Sequence, residues 1–150
     1  RYHNVYGPRM GYEHVIPELS LRILRAEVPF RLYGADQRRA FCYVSDAVEA
    51  TVAAMAAAAS EPEIFHIGND ADEIRIDRLL DRLFDIAGFQ PKEIDHVAAP
   101  HGSPSRRCPS ITKARDRLGF EPRVDLDEGL LSTFDWYRGR HADGNKPTGH

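Results

Sequence analysis

The chain has 150 residues, 42% of them hydrophobic, with 20 Lys and Arg against 23 Asp and Glu for a formal net charge of −3. That length suits one domain with enough apolar content for a core, and the acid excess argues against a binder of nucleic-acid backbone, whose footprint is basic. The longest apolar run, Val52 to Ala59, is Ala-rich and far too short to span a bilayer, so neither nucleic acid nor a membrane is expected as a partner. Two cysteines make no disulfide framework and point to a reducing, cytoplasmic setting.

Residues 1–6, Arg-Tyr-His-Asn-Val-Tyr, form a β-prone run ended by the turn pair Gly7-Pro8. No charged and apolar leader precedes it, so the run reads as the interior of a longer polypeptide. Ile16, Leu19, Ile23 and Leu24 recur at helical spacing and predict a helix over 15–27, with Pro17 in its first turn and Val28-Pro29 as its stop. Phe30 to Tyr33 and Ala40 to Val44 read as short strands around the polar loop Gly34 to Arg38. Ser45 is placed to cap a helix over 46–59 with Asp46 in its first turn. A strand is expected over 63–67, closed by Gly68-Asn69-Asp70. Asp77 is placed to cap a helix whose Leu79, Leu80, Leu83, Phe84 and Ala87 share one face, with Gly88 at C′. Residues 93–97 read as a last strand, and 98–110 as an irregular stretch with three prolines and the pair Arg106-Arg107. A short helix over 112–118 stops at Gly119 and Pro122. Asp125 with Glu128 makes a capping-box-like start for a last helix to Tyr137, and 139–150 read as a flexible tail. Helices and strands interleave throughout, which places the chain in the α/β or α+β class.

The chemistry on offer is mostly arginine. Of the 20 basic residues 17 are Arg, and two Arg pairs fall on irregular segments: Arg38-Arg39 after a Gly-containing loop, and Arg106-Arg107 among Ser and Pro. A guanidinium fork suits phosphate oxygens, so the pairs could clamp a small phosphorylated ligand. They could equally answer nearby acids such as Asp36 and Asp46, and charge alone leaves both readings open. Only His96 and His101 stand at a zinc-like spacing, with no Cys pair ahead of them, so no metal is expected. Cys42 reads as a small buried hydrophobe. No Ser sits in a Gly-x-Ser-x-Gly context, and Asp77, Asp81 and Asp85 read as a solvated helix face. The residues by themselves describe a binding domain without a visible catalytic group.

Arg1-Tyr2-His3-Asn4-Val5-Tyr6-Gly7-Pro8-Arg9-Met10 resembles the Asn-Val-Tyr-Gly-Pro-Arg segment of the extended short-chain dehydrogenase/reductases, the NAD-dependent epimerase/dehydratase family. The resemblance continues in order. His14-Val15-Ile16-Pro17 is similar to the family's Val-Ile-Pro helix start. Leu32-Tyr33-Gly34 with Gln37-Arg38-Arg39-Ala40-Phe41-Cys42-Tyr43-Val44-Ser45-Asp46 is similar to its Gln-x-Arg … Phe-x-Tyr-Val-x-Asp stretch. Phe65-His66-Ile67-Gly68-Asn69 resembles Tyr-Asn-Ile-Gly. Arg106 to Ala114, then Leu118-Gly119-Phe120-Glu121-Pro122, Glu128-Gly129-Leu130 and Trp136-Tyr137 resemble the family's later segments. Six pieces in one order, across residues 1–137, make the resemblance specific.

The resemblance is to the C-terminal part of such an enzyme, and it implies a division of labour within the family's fold. Residues 1–138 would be a sugar-nucleotide-binding domain, with 1–6 a strand of a Rossmann sheet whose N-terminal half is missing here. That half would hold NAD on a glycine-rich turn and supply a Tyr-x-x-x-Lys pair; neither motif occurs in these 150 residues. By the same resemblance, Asn4, His14, Val15, Leu32, Tyr33, Arg39, His66 and Arg107 would meet a nucleotide-diphosphate sugar, and His3 and Val5 would lie near the nicotinamide. His66 departs from the family's usual Asn, and Ser110 from its usual Asp. Ala40 before Phe41 also occurs in UDP-glucuronate decarboxylase-like members, which favours a UDP-sugar. The implied function is the substrate side of an epimerase, dehydratase or decarboxylase, inactive alone. The alternative is a non-catalytic module that binds a nucleotide or pairs with a separate Rossmann chain. An unpaired edge at strand 1–6 would also invite a homodimer.

Overall fold

The apolar positions picked out by spacing meet inside the computed structural model, which describes residues 1–57 and 61–142. In chain order its elements are β1 (Val5–Tyr6), α1 (Val15–Leu24), β2 (Phe30–Tyr33), β3 (Arg38–Ala40), β4 (Cys42–Tyr43) and α2 (Val44–Ala56). They continue with β5 (Glu73–Arg75), α3 (Ile76–Ala87), β6 (Ile94–Val97), β7 (Arg106–Arg107), α4 (Thr112–Leu118) and α5 (Leu126–Ala142). The class is α/β, as expected. One core joins α1, α3, α5 and β2 through Ile16, Leu19, Phe30, Leu79, Leu80, Leu83, Leu130 and Phe134. A smaller one lies beneath α2 and α4, built from Cys42, Ala47, Ala50, Ile67, Ile111, Ala114 and Phe120.

The strands form three small sheets: β1 with β4, β2 with β6, and β5–β3–β7. The single strand expected over 40–44 is split at Phe41, because its two halves serve different sheets. Arg38–Ala40 pairs with β5 and β7, whereas Cys42 and Tyr43 run parallel to Val5 and Tyr6. The strand expected over 63–67 is reduced to one parallel bridge, Tyr2 with Ile67, closed by the N–H of His3 on the Ile67 carbonyl at 2.8 Å. β5 and β7 are three and two residues long, too short to carry an alternation of their own.

Helix ends follow local chemistry. α1 stops at Leu24, three residues short of expectation, because Ala26 takes a left-handed φ of 50°. The N–H groups of Ala26 and Glu27 then close on the carbonyls of Ile23 and Arg22, a Schellman pair with alanine in the usual glycine place. Gly88 does the same after α3 with φ 62°, as its position predicts. Neither Ser45 nor Asp77 caps its helix: α2 and α3 begin one residue earlier, after extended Tyr43 and Arg75. Asp77 instead accepts from the Arg78 N–H at 2.7 Å and from the Arg75 guanidinium. Asp125 does cap, taking the Asp127 N–H at 2.8 Å. α5 runs on to Ala142, so 139–142 are helical rather than tail; 143–150, and 58–60 of the helix expected over 46–59, lie outside the described residues. Val48, Val52 and Met55 form an exposed apolar strip along α2. No helix among the described residues is long and apolar enough to cross a membrane.

Candidate functional site

The pairing of β3 with β7 decides what the two Arg pairs do. The strands are parallel, with Arg38 opposite Arg106 and Arg39 opposite Arg107. Side chains alternate faces along a strand, so each dipeptide sends one guanidinium each way. On one face Arg38 and Arg106 share the carboxylate of Glu73, at 3.9 and 2.7 Å. On the other, Arg39 and Arg107 line a cleft of about 510 Å³. The acid-pairing reading thus describes Arg38 and Arg106, with Glu73 in place of Asp36 or Asp46, while Arg39 and Arg107 are left facing the cleft.

Neither Arg39 nor Arg107 makes an ion pair among the described residues. The Arg39 guanidinium donates to the Arg38 carbonyl at 2.7 Å and to the Gln37 side-chain oxygen at 2.8 Å. Its pKa lies below the ordinary Arg value, first through burial and then through the positive charge of Arg107. Two cations one strand spacing apart, with no carboxylate between them, make a place where an anion is favoured. Three of the five N–H donors of Arg39 remain for it.

Asn4 reaches the same cleft from the β1 side. Its φ of 43° turns the backbone sharply, its carbonyl takes the Cys42 N–H, and its amide N–H₂ donates to the Ala40 carbonyl at 2.8 Å. That bond aims the amide and leaves its oxygen unused. Val5, His14, Val15 and Tyr33 also line the cleft. His14 stands at the N-terminus of α1, where its carbonyl accepts the Glu18 N–H at 2.9 Å. Tyr33 faces out because β2 alternates: Phe30 and Leu32 are buried, Arg31 and Tyr33 exposed. Leu32, expected at the site, is therefore a core residue at 2% exposure.

His3 and His66 are the other two expected residues outside the cleft lining. Their rings bond to each other, Nε2 to Nδ1, at 2.6 Å. Burial lowers the His3 pKa below 6.5, helped by the neighbouring positive charge of His66, the terminal amine, Arg107 and Arg1. Of the cleft residues, Arg107 is near enough for its charge to act on His3. Glu13, Gln37 and Ile76 line the cleft although the sequence does not mark them as site residues. Gln37 is detectable from its place two residues before Arg39. Ile76 is not, because it arrives from the junction of β5 and α3 through long-range pairing. Cys42 is inert by environment: burial pushes its thiol up to about 12. Among the described residues no three His, Cys, Asp or Glu side chains gather as metal ligands.

Residues 1–68 match the model of the NAD dependent epimerase/dehydratase family. The chain is 38% identical, over 149 residues, to a UDP-N-acetyl-alpha-D-glucosaminuronate decarboxylase of Bacillus cytotoxicus, covering 92% of this chain and 45% of that one. Among solved structures it superposes on the UDP-glucose 4-epimerase of Thermotoga maritima with UDP-glucose at a TM-score of 0.84 and 32% identity, over 94% of this chain and 45% of that one. The UDP-glucuronic acid 4-epimerase of Bacillus cereus, in complex with UDP-glucuronic acid and NAD, gives 0.82 and 27% over 93% and 44%. The chain thus spans just under half the length of these proteins.

Proposed function

We propose that the chain is a member of the NAD-dependent epimerase/dehydratase family and supplies the substrate side of the cleft in a UDP-sugar-modifying enzyme. The observation that carries this is the pair Arg39 and Arg107, adjacent, in no ion pair among the described residues, and facing one hollow with Asn4. In this reading the two guanidiniums and the free oxygen edge of the Asn4 amide hold and orient the diphosphate region. The guanidiniums take phosphate oxygens, and the Asn4 oxygen takes a neighbouring sugar hydroxyl. His14, Val15 and Tyr33 border the nucleotide, with Tyr33 offering a ring face for stacking. A UDP-sugar is favoured by the small Ala40 before Phe41, and it fits the substrates named for the similar proteins.

NAD is the cofactor of this reading, and when bound it supplies transient oxidation of a sugar carbon. The residues present fit one edge of it. Val5 lines the cleft next to Asn4, while His3, outside the lining, has its Nε2 hydrogen-bonded to His66. Neither a glycine-rich turn nor a Tyr-x-x-x-Lys pair occurs in these 150 residues, and the part read for them is binding and orientation. The exposed Val48, Val52 and Met55 strip on α2 is the face assigned to the remainder of the enzyme, in cis or as a separate chain. The two free cysteines suit a cytoplasmic enzyme.

Calorimetric titration tests the reading. UDP and UDP-glucose should bind saturably and more weakly as salt rises, and uridine should bind far less well. Binding that ignores the phosphates, or none by any uridine diphosphate compound, refutes it. A nucleotide-binding module without any catalytic partner would bind UDP equally but gain nothing when co-expressed with a Rossmann half of a related enzyme.

A further inference from the structure

Arg39 is held by an amide where a carboxylate would be the stronger partner. Gln37 is 9% exposed, and its side-chain oxygen accepts from Arg39 Nη2 at 2.8 Å. The other end of that amide donates to the Ser103 hydroxyl at 2.9 Å, and the Ser103 hydroxyl lies 3.2 Å from the Gln37 oxygen. Ser103 is set by a turn in which its N–H meets the Pro100 carbonyl at 3.0 Å. Gln37 is fixed from below as well. Its N–H bonds the Gly34 carbonyl, its carbonyl takes the Ile76 N–H, and a Cβ on Gly34 would stand 2.9 Å from its Cδ. A chain of contacts therefore runs from the Pro100–Ser103 turn through one buried amide to a guanidinium in the cleft.

We propose that Gln37, braced by Ser103, is the positioning residue for Arg39 in diphosphate binding. This rests on the diphosphate reading of the cleft. A long Arg side chain loses rotamer freedom when it engages a ligand, and a partner that fixes it beforehand removes part of that cost. A carboxylate at position 37 would fix it too, but would cancel the charge the phosphates need. A neutral amide orients without neutralising, so the guanidinium stays available to an incoming anion.

The test is a double-mutant cycle read by UDP affinity, with Gln37→Ala, Gln37→Glu, Arg39→Ala and the two combinations. Gln37→Ala should weaken UDP by about fivefold, and Gln37→Glu by about tenfold or more at low salt. Both effects should vanish in the Arg39→Ala background. Ser103→Ala should reproduce part of the loss and Ser103→Thr should restore it, which keeps the test alive should Gln37→Ala fold poorly. Equal losses with and without Arg39, or wild-type affinity in Gln37→Glu, overturn the proposal. A second readout separates it from the diphosphate reading: the Arg39 Nε–Hε order parameter of the ligand-free protein should fall in Gln37→Ala. If UDP fails to bind wild type, the diphosphate reading is lost and the proposed role falls with it. The order parameter then says only whether the clasp itself exists, and an unchanged value refutes that too.

Discussion

The two arginines of one dipeptide should behave as different kinds of residue, and Arg106-Arg107 is the place to see it. Strand alternation puts Arg106 on Glu73 at 2.7 Å and Arg107 into the cleft. A charge-assisted hydrogen bond contributes about 1.5–3 kcal/mol. Arg107 is exposed, so the low end applies, and Arg107→Ala should cost about 1.5 kcal/mol of UDP binding, roughly tenfold in affinity. Arg106→Ala removes the same formal charge one residue away and should leave UDP affinity within about twofold, since an exposed pair contributes little. Both variants should melt close to wild type. Calorimetry with UDP at low and moderate salt separates them, the difference persisting at moderate salt where long-range attraction is screened. Equal losses in Arg106→Ala and Arg107→Ala would refute the reasoning, because they would mean that the ligand feels net charge rather than a directed guanidinium.

Other expectations concern stability. Asp46, 3% exposed, accepts the N–H groups of Arg123 and Val124 at 3.2 Å each, so Asp46→Ala orphans both and should cost about 2 kcal/mol, about 6 °C in Tm; an unchanged melt would contradict this. Gly129→Ala would gain about 1 kcal/mol of helix propensity, yet its Cβ would meet Tyr6 Cζ at 2.8 Å and Tyr43 Cδ2 at 2.9 Å. Overpacking should win, giving a net loss of about 1–2 kcal/mol by chemical denaturation, and a more stable variant would show that the rings move aside freely. His3 has its folded pKa below the unfolded 6.5, so the unfolded chain binds the extra proton and stability should fall as pH drops below 6.5. His66→Asn removes one positive neighbour and the His–His bond, so its Tm should fall less between pH 7.5 and 5; an identical fall would exclude this pair as the cause.

Helices were legible wherever a face was apolar. Leu79, Leu80, Leu83 and Phe84 all end buried in one core, and α4 carries its expected bounds. Strands were legible only where the local run was long enough, as in β2, whose alternation is visible in Phe30 to Tyr33. β5 and β7 owe their existence to β3, so nothing within Glu73–Arg75 or Arg106–Arg107 announces them. The site follows the same division. Asn4, His14, Val15, Tyr33, Arg39 and Arg107 came from motif resemblance and do face one cleft. Leu32 rests on the same resemblance but turns into the core, because a period of two sends it and Tyr33 to opposite sides of β2. His66 was carried over from a position where Asn is usual, and an imidazole finds a partner in His3 that an amide would not meet in the same way.

That an acidic chain can hold an anion site is a matter of where charge goes unanswered rather than of its sum. Glu73 draws Arg38 and Arg106, Asp70 and Glu121 draw Arg115, and Glu63 draws Lys113 and Arg117. These clusters set four carboxylates against five cations at the surface, where each pair contributes little to stability. Arg39 is spared because the residue beside it is Gln37, whose amide oxygen occupies one N–H without a charge. Arg107 is spared because β7 is in register with β3, which turns it away from Glu73. A net charge of −3 repels polyanions at long range. At close range, a small dianionic ligand entering the cleft meets two unpaired guanidiniums side by side. Register and one neutral side chain thus convert an acidic protein into a selective site for a compact phosphate group, and shifting β7 by one residue against β3 would destroy it by exchanging Arg107 for Arg106.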